Sequence, residues 1–187
     1  MKTKLVLAVA LLCLPALSRA QTDKPAATPA PTQTTPAPRP ADVASRDAIV
    51  AALYDSISGP AGDRDWDRFR SLFIPAAQLI GCYKKKDGTL GYKAMSVQGY
   101  VDNAGKYFKG HGFYEKEISR KVESYSSVTH VFSTYESRNK PEEKPFDRGI
   151  NSIQLWNDGK RWWVVDVYWA GETPETPIPE KYLTKGE

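Results

Sequence analysis

The stretch Asn157-Asp158-Gly159-Lys160-Arg161-Trp162-Trp163-Val164-Val165-Asp166 decides the fold class. Its opening is hairpin-turn chemistry, because an Asp-Gly pair supplies the left-handed backbone that a tight connection needs. The run that follows, continuing to Trp169, is dense in aromatic and β-branched side chains and reads as a strand. Working backwards, Arg148 to Trp156 supplies its hairpin partner, and the polar segment Asn139 to Lys144 makes a longer loop. Before that loop, Val128, His130 and Phe132 alternate with Thr129, Val131 and Ser133, and Ile118, Arg120, Val122 and Ser124 alternate with Ser119, Lys121 and Glu123. Ser126-Ser127 divides these two runs. Strict alternation is the mark of strands with two unlike faces, so four consecutive antiparallel strands are expected in the stretch that runs from just after Gly112 through to Gly171.

Upstream the period changes from two to between three and four. Val50, Leu53, Tyr54 and Ile57 form one stripe, with Asp42 or Ser45 as candidate N-caps and Gly59-Pro60 as the stop. Asp65 caps a second, short helix carrying Trp66, Phe69, Leu72 and Phe73 ahead of Pro75. Gln78 to Lys84 and Thr89 to Met95 are extended runs joined through Lys85-Lys86-Asp87-Gly88. Ser96 caps a third helix, which shows Val97, Tyr100, Val101, Ala104, Tyr107 and Phe108 on one face and ends at Gly110 and Gly112. The order helix, helix, hairpin, helix, then four strands predicts an α+β domain, with the helices on one face of a curved antiparallel sheet.

Residues 1–20 read as a secretory signal peptide. Lys2 and Lys4 precede the apolar run Leu5 to Leu17, and Ser18-Arg19-Ala20 offers small residues for cleavage after Ala20. That run is shorter than the ~20 residues that span a bilayer, so a periplasmic or secreted address without stable membrane insertion is expected. Residues 21–40 are mostly Pro, Ala and Thr, a spacer that cannot bury enough apolar surface to order itself. Every aromatic residue lies at or beyond Tyr54, which places the folded unit at 41–187 with a proline-rich tail from Thr173. Lys2, Lys4 and Arg19 are three of 26 basic residues set against 22 acids, so the net charge of +4 falls to +1 beyond residue 20. A nucleic-acid surface, which draws its affinity from clustered Lys and Arg, is therefore not expected. Cys82 is the lone cysteine beyond the signal, and its apolar surroundings, Leu79 to Tyr83, predict burial in the core.

Two segments carry a family resemblance. Asp63-Arg64-Asp65-Trp66-Asp67-Arg68-Phe69-Arg70-Ser71-Leu72-Phe73-Ile74-Pro75-Ala76-Ala77 resembles the helical lead-in of the nuclear transport factor 2-like, or SnoaL-like, superfamily, with Ala76 standing where that motif usually has Asp. Asp158 to Asp166 is similar to the same superfamily's last strand. The resemblance implies a cone-shaped sheet wrapped around N-terminal helices, with an apolar pocket at its open end. It does not imply one reaction, since the superfamily hosts isomerases, cyclases, hydrolases and binding modules. In the ketosteroid isomerases that this fold resembles, a general-base aspartate lies just after the lead-in. The matching stretch here, Ala77 to Tyr83, holds no carboxylate.

The candidate site residues are Tyr54, His130, Arg148, Asp166 and Tyr168. Asp166 shares a strand face with Trp162, Val164 and Tyr168 if the alternation is regular. An acid among apolar neighbours is either pushed toward acid–base use or tied to a cation such as Arg148 or Arg161. His130 would serve as a base if it met Asp166 across the sheet, and otherwise as a hydrogen-bonded sheet histidine. Tyr54 would direct a hydroxyl either into the pocket or to a backbone partner. Arg148 would receive an anionic group at the pocket mouth or belong to a solvated rim with Asp147. His111 and His130 have no acid or cysteine at ligand spacing, so neither a metal nor another cofactor is expected. The expected function is binding of a small apolar or aromatic molecule. The alternatives are cofactor-independent acid–base catalysis by Asp166 and a homodimeric interaction module.

Overall fold

A computed structural model describes residues 35–184. The signal-like segment 1–20 and most of the 21–40 spacer lie outside the described residues. Two short pieces open the domain: α1, Pro40–Val43, and α2, Arg46–Ile57. Ser45 is the cap of α2, its hydroxyl accepting from the Ala48 N–H at 3.1 Å. Asp42, the other candidate cap, sits inside α1 and pairs with Arg68 at 2.7 Å. Asp65 caps α3, Trp66–Ser71, and Ser96 caps α4, Val97–Gly110, both as their side-chain chemistry predicts.

Six strands form one curved sheet in the order β2-β1-β6-β5-β4-β3, comprising β1 Phe73–Lys84, β2 Leu90–Ser96, β3 Tyr114–Tyr125, β4 Val128–Arg138, β5 Asp147–Asn157 and β6 Trp162–Gly171. Its inner face packs on α2, α3 and α4 through a single core, in which Ile49, Leu72, Phe69, Val131, Ile153 and Val164 are almost wholly buried. No helix among the described residues is long and apolar enough to cross a membrane.

The sheet is mixed rather than wholly antiparallel. β1 runs parallel to β6, pairing Gln78 with Asp166 and Leu79 with Val167. The short helix also stops at Ser71, because Phe73, Ile74 and Pro75 already belong to β1 and the Val164 N–H bonds the Leu72 carbonyl at 2.9 Å. Pro75 falls inside the irregular stretch between Phe73 and Gln78, where its missing N–H breaks no ladder. β3 starts four residues ahead of the alternation read from Ile118, and this brings Glu115 and Glu117 into the sheet. Cys82 is half-buried at the β1–β2 end rather than enclosed in the core.

Two irregularities set which side chains face inward. Between Glu117 and Ser119 the β3–β4 register slips by one residue, and between the pairs Leu155–Val164 and Gln154–Asp166 the extra residue is Val165. Such bulges bend a sheet and flip the sides of whatever follows. On β6, Trp162 and Val164 therefore face the helices before the bulge, and Val167 and Trp169 face them after it. Asp166 and Tyr168 turn to the outer face.

Arg64 ties the end of α2 to the turn behind it. Its guanidinium donates to the carbonyls of Ile57 at 3.0 Å, Gly59 at 2.8 Å, Pro60 at 2.7 Å and Gly62 at 3.1 Å, and it lies 4.8 Å over the Phe108 ring. A lysine cannot reproduce a planar fork of that reach. Arg64→Ala is expected to cost about 2 kcal/mol, since it leaves several partly buried carbonyls without donors. Arg64→Lys should recover little of that loss, and urea unfolding midpoints of the three proteins measure both effects.

Candidate functional site

The cone encloses a cavity of about 290 Å³ between the inner face of the sheet and helices α2 and α4. Eight of its lining residues are aromatic, including Tyr100, Tyr107 and Phe108 from α4 and Trp169 from β6. Two of these side chains pack closely against glycines on a neighbouring strand. Trp169 rests on Gly81, where an added Cβ would come within 3.0 Å of its ring, and Tyr135 rests on Gly149, where an added Cβ would lie 2.5 Å from its hydroxyl. Glycine inside a strand often marks such close approach.

The polar side of the cavity is built along one cross-strand row. Glu115 on β3 pairs with Ser137 on β4, which pairs with Asp147 on β5, so the two acids flank one serine on a shared face. With antiparallel neighbours ~5 Å apart, their backbones are separated by roughly 10 Å. The Glu115 carboxylate accepts from Ser137 Oγ at 3.0 Å and from Asn151 Nδ2 at 3.1 Å. Asp147 accepts from Tyr135 Oη at 3.2 Å. Among the described residues neither acid has an ion-pair partner, and none of the side chains lining the cavity is Lys, Arg or His. Burial therefore dominates: the Glu115 carboxyl is pushed up to about 7, with the Asp147 charge adding to the effect, and Asp147 is itself raised by burial. As a residue Glu115 keeps partial solvent contact, while its carboxyl is surrounded by protein.

A second polar chain leads away from the cavity. Asn151 Nδ2 also donates to Tyr54 Oη at 3.1 Å, and Tyr54 Oη meets Ser133 Oγ at 2.7 Å. Ser133 in turn donates to Glu117, which Arg120 holds at 2.6 Å. With the Ser133 hydrogen committed to Glu117, Tyr54 is the donor to Ser133, so the Asn151 amide is oriented with one hydrogen toward Glu115 and one toward Tyr54. The mouth is formed by Asn103 and Tyr107, both exposed, and Lys93 reaches Asn103 Oδ1 at 3.0 Å.

Of the residues singled out from sequence, the structure places Tyr54 in the cavity wall and the others elsewhere. Asp166 and Tyr168 lie on the outer face because of the Val165 bulge, and His130 lies there because it alternates on β4 with the buried Val131. There His130 Nε2 meets Ser152 Oγ at 2.8 Å, and one Asp166 oxygen is enclosed without a hydrogen-bond partner. Burial raises the Asp166 carboxyl and His130 partly offsets this. Neither arginine proposed for it is near: Arg148 pairs with Glu172 at 2.7 Å, and Arg161 donates to the Ser71 carbonyl at 2.7 Å while lying 3.6 Å over Trp163. Arg148 also faces outward, opposite Glu136, and not into the mouth. The proline-rich tail crosses the outer face, with Thr134 Oγ1 donating to the Tyr182 carbonyl at 2.6 Å.

Glu115 and Asn151 were not singled out from the sequence, and Asp147 was read as a solvated rim acid. The signal available was the Tyr114-Glu115-Lys116-Glu117 alternation directly upstream of a recognised strand, together with the glycine that follows Arg148 inside another.

No protein-family model and no curated protein matches the sequence. Solved structures do. The β subunit of a candidate aromatic-ring-hydroxylating dioxygenase from Novosphingobium aromaticivorans is 15% identical over 72% of this chain and 95% of its own, with a TM-score of 0.52. A candidate dehydratase of the nuclear transport factor 2-like family from Streptomyces avermitilis is 10% identical over 71% and 96%, also at 0.52. A cystatin-like protein of unknown function from Nostoc punctiforme is 10% identical over 70% and 90%, at 0.51. This chain has their fold, the nuclear transport factor 2-like α+β cone.

Proposed function

We propose that the protein is an exported small-molecule-binding domain whose cone cavity holds a mostly apolar or aromatic ligand, with Glu115 and Asp147 as its polar contacts. One observation carries this reading: a cavity walled by aromatic rings surrounds two carboxylates that have no ion-pair partner among the described residues. Concave, largely apolar sites with a few converging polar groups are where small ligands bind. Export is supported by Lys2, Lys4 and the apolar run that follows them.

A second reading, cofactor-independent acid–base catalysis, is supported by the Glu115 carboxyl, whose pKa of about 7 suits proton exchange at neutral pH. In that reading Glu115 takes the role first given to Asp166, and the candidate dehydratase among the fold neighbours lends it further support.

Native and denatured mass spectrometry on protein recovered from the exported fraction of its host tests the binding proposal. Wild type is expected to carry an extra mass that is lost on denaturation. Ala104→Phe, which fills the cavity from a buried position on α4, is expected to lack that mass at unchanged far-ultraviolet circular dichroism. Equal native and denatured masses for wild type would contradict retention, and an extra mass kept by Ala104→Phe would put the ligand elsewhere.

A further inference from the structure

We infer that the cavity selects an organic cation: a protonated or quaternary ammonium group carried on a compact aromatic or aliphatic body. This rests on the reading of the cavity as a binding site and adds the sign of the ligand's charge. The first support is the composition of the wall. Two carboxylates enter it, from β3 and β5, and none of its described lining side chains is basic. The second is the aromatic content. Tyr100, Tyr107, Phe108, Phe113 and Trp169 line the same space; Arg64, Trp66 and Phe113 cover Phe108 and His111 covers one face of Tyr107, and the remaining ring surface attracts a cation seated within about 6 Å of a centroid.

Energetics point the same way. A neutral ligand filling this space would leave two carboxyl groups facing an apolar body, with burial opposing their ionisation. An anionic ligand would add a third like charge. A cation compensates both acids and meets the rings at once, in a site where the low local dielectric strengthens each contact. The hydrogen bonds already in place favour this arrangement. Ser137 and Asn151 hold the Glu115 carboxyl and Tyr135 holds Asp147, so the acids are oriented before the ligand arrives. Size is also set. At about 290 Å³ the cavity lies at the small end of the ~300–1,000 Å³ typical of ligand pockets, which suits a compact one-ring body.

Three benzyl probes test the charge: benzyltrimethylammonium, its uncharged isostere neopentylbenzene, which differs from it in charge alone, and the smaller anion phenylacetate, each titrated into the folded protein with Trp fluorescence and calorimetric readouts. The cation is expected to bind at least ten-fold more tightly than the isostere, with phenylacetate not binding. Glu115→Gln and Asp147→Asn should each narrow the gap between cation and isostere, chiefly by weakening binding of the cation. Ala104→Phe should abolish binding of all of them. Equal affinity for cation and isostere overturns the charge inference while leaving small-molecule binding intact. Preference for phenylacetate reverses it. Binding of none of the three overturns both readings.

Discussion

Gly149→Ala is expected to lower the unfolding free energy by about 3 kcal/mol and to abolish cavity binding, the larger part of that cost being overpacking against groups that cannot yield. A methyl at this position would lie 2.5 Å from Tyr135 Oη and closer still to the Ala170 carbonyl oxygen. The tyrosine can swing away, but only by giving up its hydrogen bond to Asp147. The carbonyl cannot, because it belongs to the β5–β6 ladder, where Ile150 pairs with Ala170. Two strains of different origin thus meet at one atom. Tyr135→Phe in the alanine background removes the hydroxyl clash and should return part of the stability, whereas the carbonyl clash remains. Chemical denaturation of the two single variants and the double variant yields the coupling. A Gly149→Ala protein as stable as wild type would show that the sheet is looser here than described.

Glu115→Gln is expected to become more stable than wild type as pH rises, by up to about 3 kcal/mol at pH 8, the energy of shifting a carboxyl from 4.5 to about 7. The sign follows from proton binding. Between pH 4.5 and 7 the folded protein holds a proton on Glu115 that the unfolded chain has released. Stability from this group is therefore complete below 4.5 and is lost as pH rises through 7. Glutamine stays neutral throughout and keeps the local bonding, its oxygen accepting from Asn151 and its amide donating to Ser137 Oγ, which can turn to accept. Groups held low, such as Asp42 beside Arg68, act in the opposite sense at more acidic pH and cancel when the two proteins are compared. Denaturant unfolding from pH 4 to 8 should show curves that coincide at the acid end and diverge above 5. Parallel curves would contradict a raised Glu115.

The sequence made the local structure legible wherever a residue's own chemistry decides. Ser45, Asp65 and Ser96 are caps because each is a short side chain able to accept from an N–H two or three residues on, and Asp158-Gly159 is a turn because Gly159 can take a φ of 86°. What escaped was non-local. The parallel β1–β6 contact joins residues some ninety positions apart, and nothing in the Gln78 to Lys84 run names its partner. Asp166 was assigned to the face of Trp162 and Val164 by regular period two, which one inserted residue, Val165, reverses. Glu115 escaped for a different reason. Glu-Lys-Glu beside a turn has the composition of solvated surface, and only the packing of β3 on α2 encloses the first of those acids while Glu117 finds Arg120.

Asp166 belongs to a polar cluster on the outer face of the sheet. Its carboxyl shares a cross-strand row with Gln154 and His130, near the exposed Tyr168. Its raised affinity for a proton is a property of the side of the sheet away from the cavity, so Asp166→Asn should leave cavity binding unchanged.

The central claim is that the cone holds an acid poised near neutrality inside a ligand cavity. Its most direct test is a carbon-13 titration of the Glu115 side-chain carboxyl, assigned by loss of its resonance in Glu115→Gln. A midpoint near 7 is the predicted result. A midpoint at the ordinary glutamate value near 4.5 would contradict the account, because the cavity would then be wet and its acid no different from one on the surface.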